Sequence, residues 1–350
     1  MITNICYSDP WIKKVLSTCK STNYGLAEKM IYAFTLLEQL AQQPFPFIFK
    51  GGTSMALLLP TLTRFSKDID ILTEERPKNL EHIFNKIIQD SPFTRWEPSF
   101  REPFFNVPKE HFKFYYNPKR PSRFKEEPIL LDILYGKPSY PSIQQKAIKH
   151  SILTTTQPYH RVYVPTIEGI TGEKLTAFAP RTLGIPFGKN KSVEIMKQLY
   201  DLYHLSNFCT DWGSVASSFL NSTAIIVNYY ELQITPSDVV DDIIQTAHIL
   251  GMQGREETVH FKEMKRGMEG LNNYLLNDSF RLPDAIIASA KIARLALSLI
   301  HDLDFEPVVF NNTKLRKFNA LNKPLKKAYT KAWYEWLHIE KIMEQKSKSN

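Results

Sequence analysis

Two acids set one residue apart, Asp68 and Asp70, lie between isoleucines in the run Asp68-Ile69-Asp70-Ile71. Residues i and i+2 of an extended strand point to the same face, so the two carboxylates stand side by side while Ile69 and Ile71 turn into a core. Like charges at that distance raise one pKa unless a cation sits between them. A hard divalent ion that keeps open positions for substrate phosphates relieves that repulsion. Upstream, Gly51-Gly52-Thr53-Ser54 follows the short apolar run from Phe47 to Phe49. The glycines permit close backbone approach, and the amides of Gly52, Thr53 and Ser54 open a helix N-terminus that attracts phosphate. Taken singly, the glycine turn reads as a helix cap and the acid pair as a solvated strand end. Together, with an apolar helical pattern between them, they suit metal-assisted phosphoryl or nucleotidyl transfer.

The elements that position these groups follow from periodicity. A strand, a helix and a second strand are expected across Phe47 to Leu72. The first 25 residues read as a loose lead-in to a helix over Gly25 to Gln42, capped by Ser21, Thr22 or Asn23 and stopped by Pro44 and Pro46. Its polar residues Glu28, Lys29 and Gln39 read as a solvated face. Asn79 to Gln89 forms another amphipathic helix, and Phe112, Phe114 and Tyr116 alternate with Lys113 and Tyr115 as in a half-buried strand. The basic turn beyond it carries Lys119, Arg120, Arg123 and Lys125, either a phosphate-contacting rim or a solvated hairpin. In the apolar strand Ile129 to Leu134, Asp132 requires a partner, a metal or a strand end, because a buried unpaired carboxylate is costly. Residues 137–160 read as a polar connection, and Arg161 to Pro165 as a last edge strand.

The chain has 350 residues and a formal charge of +8, long enough for two domains and suited to an anionic partner. Cys6, Cys19 and Cys209 have no metal-type spacing, which argues against zinc and against a disulfide framework. No leader pattern or long apolar run is evident, so a soluble, cytoplasmic protein without membrane contact is expected. Serine–histidine–aspartate and cysteine–histidine nucleophile signatures are also lacking.

Phe49-Lys50-Gly51-Gly52-Thr53 followed by Arg64-Phe65-Ser66-Lys67-Asp68-Ile69-Asp70 resembles the first motif of the AbiEii/AbiGii toxin group of nucleotidyltransferases, within the DNA polymerase beta superfamily. The resemblance covers roughly residues 25–208. It implies an α/β fold, a polymerase-beta-like mixed sheet with flanking helices over residues 1–208, then a helical C-terminal domain over residues 209–350. It implies Mg²⁺ or Mn²⁺ at Asp68 and Asp70, with Asp132 as a third acid that could also take a proton from the attacking hydroxyl. Gly51, Gly52, Thr53, Ser54 and Ser66 would hold the nucleoside triphosphate.

Glu173-Lys174-Leu175-Thr176-Ala177 resembles the family helix whose lysine reaches the nucleotide phosphates, which Lys174 would neutralise. Asp201 matches a functional acid on the following helix, although Gln198-Leu199 replaces the Arg-Asp pair that precedes it in the family. Asp201 could orient Lys174, or form a surface ion pair with Lys197. His204, on the same helix, reads as a core or rim histidine with no second histidine at zinc spacing.

Helices are expected over Val215 to Tyr230, Pro236 to Leu250, Glu257 to Leu276 and Pro283 to Ile300. The lysine-rich stretch from Lys314 to Lys348, with Trp333, Tyr334 and Trp336, reads either as an RNA-stacking surface or as an amphipathic helix with its aromatics packed inward. The resemblance further implies a toxin with a cognate antitoxin, transferring a nucleoside monophosphate to the 3′ end of tRNA. A catalytically inactive nucleotide- or RNA-binding module, and transfer to a protein or small molecule, are the alternatives.

Overall fold

The computed structural model describes residues 1–100, 107–121, 124–276, 279–303, 305, 308 and 323–347. Two compact units divide the chain, Met1–Thr166 with Tyr274–Asp278, and Ile167–Asn273 with Ser279–Asn350.

The first unit is built on a seven-stranded mixed sheet of β1 (Ile48–Lys50), β2 (Ile69–Thr73), β3 (Arg95–Pro98), β4 (Lys109–Tyr116), β5 (Glu127–Tyr135), β6 (Ile143–Ala147) and β7 (Arg161–Pro165). Their spatial order is β3-β4-β5-β2-β1-β7-β6. The β2–β5 and β1–β7 pairs are parallel and the others antiparallel. Arg161–Pro165, expected at the edge, is thus an interior strand covered by β6. The polar sequence of β6, Ile-Gln-Gln-Lys-Ala, carries no apolar alternation to reveal it. An edge strand needs only backbone pairing on one side, which side-chain pattern does not report.

The lead-in is also ordered, as a 3₁₀ turn at Asn4–Tyr7 and helix α1 (Asp9–Thr18), whose first turn is capped by the Ser8 side chain. Helix α2 (Tyr24–Ala41) is capped by Asn23, which accepts from the Leu26 amide. Glu28 of α2, expected on a solvated face, is buried, and so is Glu38. Backbone amides satisfy both carboxylates: the Lys119 amide donates to Glu28 at 2.8 Å, and the Ile2 amide to Glu38 at 3.0 and 2.9 Å. Helix α4 (Leu80–Asp90) buries Leu80, Ile83, Phe84 and Ile87, with Phe84 edge-on to Phe112 and Phe114 of β4. Alternation therefore commits Phe112, Phe114, Tyr116, Ile129, Leu131 and Ile133 to the core. It sends Lys109, His111 and Asp132 to the opposite face of the sheet.

The described residues of the second unit form the helices α5 (Ile167–Ala177), α6 (Ser192–Leu205), α7 (Trp212–Tyr230), α8 (Pro236–Gly251), α9 (Thr258–Leu271), α10 (Leu282–Ile300) and α11 (Lys323–Ser347). The division falls at Thr166, ahead of the boundary expected at residue 208. Close backbone approach explains this: a Cβ on Gly172 of α5 would lie 2.5 Å from the Val215 carbonyl of α7, and one on Gly267 of α9 would lie 2.2 Å from the Ser192 carbonyl of α6. Both helices expected in the first domain are thereby bound to the helical unit. On α11, Tyr329, Ala332 and Trp336 pack with Ile286 and Ala290 of α10, and Glu335 is paired with the buried Arg294. Trp336 follows the inward-packing reading of the tail, whose residues 314–322 and 348 lie outside the described ones. Among the described residues no helix is long and apolar enough to cross a membrane.

Candidate active site

Sheet register assembles a transverse row of four charged or titratable side chains. Lys50 of β1 opposes Asp70 of β2, Asp70 opposes Asp132 of β5, and Asp132 opposes His111 of β4. Opposed residues share a sheet face, so two acids lie side by side between two basic side chains. Asp68 lies two residues before Asp70, on the approach to β2.

The Asp132 carboxylate is engaged at both oxygens, by His111 Nδ1 at 2.6 Å from Oδ1 and by Lys109 Nζ at 3.0 Å from Oδ2. Burial pushes the Asp70 carboxyl up from its ordinary value to about 6; Lys109 and Lys50 draw it down, while Asp132 and Asp68 push it further up. The expected repulsion between acids is present, and neighbouring ammonium groups offset part of it.

Helix α3 (Gly51–Leu58) starts directly against this row. Gly51 has φ +75°, and a Cβ there would lie 2.2 Å from Asp70 Oδ2, so conformation and space both demand glycine. A Cβ on Gly52 would lie 2.6 Å from Arg64 Nη2 and 3.3 Å from Ser66 Oγ. The hydroxyls of the turn are structural: Thr53 Oγ1 donates to the Asp68 carbonyl at 2.6 Å and lies 2.8 Å from Ser66 Oγ, and Ser54 Oγ donates to the Gly51 carbonyl at 2.9 Å. Thr53 and Ser54 are buried, whereas Gly51 and Gly52 are half-buried, so the glycine backbone is the part of the turn open to phosphate.

The loop returning to Asp68 is braced from far along the sequence. Phe65 donates its amide to the Tyr274 carbonyl at 2.8 Å, and Leu276 donates to the Thr63 carbonyl at 3.1 Å. No pattern in the sequence signals this strap.

In the helical unit, Lys174 of α5 extends its ammonium to Asp201 Oδ2 of α6 at 2.8 Å and to Gln198 Oε1 at 3.0 Å. Both ends of the pair are buried, Asp201 completely. Asp201 therefore orients Lys174, and Gln198, the departure from the family pattern, is the third member of the group. His204 packs against Tyr200, with ring centroids 4.4 Å apart. The basic turn is tied into its own unit, since the Arg120 guanidinium lies 3.9 Å over the Tyr24 ring and 3.3 Å from Asp9. Arg123 lies outside the described residues.

Lys50, Lys109 and His111 are the site residues that sequence reasoning did not find. The β4 alternation, continued back from Phe112, puts Lys109 and His111 on the face opposite the aromatics. Only the β4–β5 register places that face against Asp132. Among the described residues no group of three or more His, Cys, Asp or Glu is arranged to hold a metal ion. The donor chemistry nevertheless fits one, since the Asp70 carboxyl is held above its usual range by burial and neighbouring acids, a penalty that a hard cation removes.

The model of the family described as nucleotidyl transferase AbiEii toxin, type IV TA system, matches residues 35–271, more than half of the chain. Among solved structures, JHP933 from Helicobacter pylori is similar at 15% identity and a TM-score of 0.44, over 81% of this chain and 96% of that one. A candidate nucleotidyltransferase from H. pylori is similar at 16% identity and a TM-score of 0.43, over 80% of this chain and 97% of that one. No match is found among curated proteins.

Proposed function

The chain belongs to the AbiEii family of nucleotidyl transferase toxins of type IV toxin–antitoxin systems, and on that premise we propose that it transfers a nucleoside monophosphate from a nucleoside triphosphate to the 3′-terminal hydroxyl of a tRNA. The observation that carries the reading is the in-register pair of Asp70 and Asp132, with Gly51 closed against the Asp70 carboxylate.

Asp68 and Asp70 would hold Mg²⁺ or Mn²⁺, with Asp132 in support. When bound, the ion supplies charge neutralisation at the triphosphate. The Gly52 amide and the Ser66 hydroxyl would bind phosphate oxygens, with Gly51 giving the backbone room to approach and the buried Thr53 and Ser54 fixing the turn. We assign Lys174, oriented by Asp201 and Gln198, to neutralising phosphate charge. The acceptor oxygen attacks the α-phosphorus, the bond from that phosphorus to the bridging oxygen breaks, and pyrophosphate leaves. The acceptor's proton passes to a carboxylate of the row, for which Asp132 is the candidate. Membership of a toxin–antitoxin family implies an antitoxin as partner.

The test is incubation with Mg²⁺, total RNA and each α-labelled nucleotide in turn, alongside Asp70→Ala and Lys174→Ala. A tRNA-sized band labelled with one nucleotide and lost in both variants is expected. Label on protein or on a small molecule would move the acceptor elsewhere, and failure of all four nucleotides to bind would remove the catalytic reading.

A further inference from the structure

We propose that Lys109 is a built-in counter-ion of the acidic row, holding the place at Asp132 that a divalent ion takes over by displacing it. The inference rests on the nucleotidyltransferase reading above and adds to it a residue outside the motifs that carry that reading.

Three observations converge on Lys109. Its ammonium lies 3.0 Å from Asp132 Oδ2, and because His111 Nδ1 lies 2.6 Å from Oδ1, both oxygens of this acid are engaged. Asp132 stands in register with Asp70, so Lys109 reaches an acid whose strand neighbour is a second acid on the same sheet face. One ammonium at Asp132 thus adds positive charge beside a facing pair of carboxylates, the electrostatic task that a divalent ion performs in such a cluster. Finally, the two basic partners of Asp132 are built differently. His111 lies within β4 with a side chain 16% exposed, whereas Lys109 opens the strand, is 33% exposed, and carries its charge on a flexible four-carbon stem.

A partly exposed ion pair of this kind is weak and exchangeable. A doubly charged ion competes favourably for the same oxygen, and repels the ammonium once bound. His111 is placed to remain and to fix the plane of the carboxylate during the exchange. Metal binding and release of Lys109 become a single linked event, and the freed ammonium stays on the sheet face that carries the acids.

The experiment uses the full chain and Mn²⁺ as the probe. Mn²⁺ affinity is measured by calorimetry for wild type, Lys109→Met and Asp70→Asn, and the labelling rate of the Lys109 amine in wild type is followed by mass spectrometry with and without Mn²⁺. Lys109→Met is expected to bind Mn²⁺ about three- to tenfold more tightly, and the amine to label severalfold faster at saturating Mn²⁺. Unchanged or weaker affinity in Lys109→Met, or an amine equally protected with and without Mn²⁺, would overturn the inference while leaving the metal site intact. Wild-type affinity in Asp70→Asn would instead remove the metal reading itself, and the inference with it. The labelling arm needs no substitution, so a folding defect in the lysine variant leaves the proposal open to refutation.

Discussion

Asp70 and Asp132 face each other in register on adjacent parallel strands, with Asp132 held by His111 and Lys109 and Asp70 closed in by Gly51. Two acids so placed would repel each other and lose water without the basic groups beside them. The row therefore carries an electrostatic cost in the metal-free protein.

Asp70→Asn should reduce nucleotide transfer by on the order of a thousandfold, as expected for loss of several kcal/mol of metal-assisted stabilisation. The measurement is the initial rate of labelled-nucleotide incorporation under saturating Mg²⁺. Activity within tenfold of wild type would show that this carboxylate does not serve the reaction.

The same substitution should stabilise the metal-free protein. Asp70 has its carboxyl raised to about 6, above the ordinary 3.8. Between those values the native state holds a proton that the unfolded state has released, so stability falls as pH rises from about 4 through about 6 and then levels off. Asp70→Asn removes that loss, and the advantage of the variant should grow over this window to about 1–3 kcal/mol at pH 7.5. Urea denaturation at a series of pH values in EDTA measures it, and adding Mn²⁺ should raise the wild-type midpoint while leaving that of Asp70→Asn nearly unchanged.

Gly51→Ala should fail on two grounds, the positive φ and the Asp70 carboxylate in the space of the new methyl group. A cost of about 1–3 kcal/mol, with activity lost through displacement of Asp70, is expected. Thermal melting and nucleotide binding report the two effects separately. A stable, fully active Gly51→Ala protein would contradict the close approach.

Lys174 and Asp201 should be strongly coupled. Lys174→Met leaves the wholly buried Asp201 charge without its ammonium, and should cost about 3–5 kcal/mol. The double variant Lys174→Met with Asp201→Leu should recover much of that loss while remaining inactive. A double-mutant cycle in urea measures the coupling, and additive single effects would show that the pair is energetically independent.

Trp336→Ala should destabilise the helical unit by about 2 kcal/mol, because the indole packs on Ile286 and Ala290. Thermal melting of the variant decides whether this aromatic packs as described; an unchanged midpoint would return it to the RNA-stacking reading.

What the sequence determined by itself was local. The spacing of Asp68 and Asp70, the glycine turn at Gly51 and Gly52, and the helical periodicity of α2, α4 and α7 to α10 depend on residues within a few turns of one another, so the candidate motif and its strand–helix–strand setting could be read directly. Lys174 and Asp201 came into view only through their resemblance to the family's helices, and their pairing awaited the packing of α5 near α6. Tertiary structure alone decided what depends on pairing between distant segments. Lys50, Lys109 and His111 join the acids through strand register, which no spacing encodes. The strap from Tyr274 to Leu276 braces the loop before Asp68 through backbone bonds that are indifferent to side-chain identity. Strand β6 is held in the same way, and so stayed invisible in a polar sequence. The boundary at Thr166 arises from helix approaches at Gly172 and Gly267, where the deciding atoms are the ones glycine lacks.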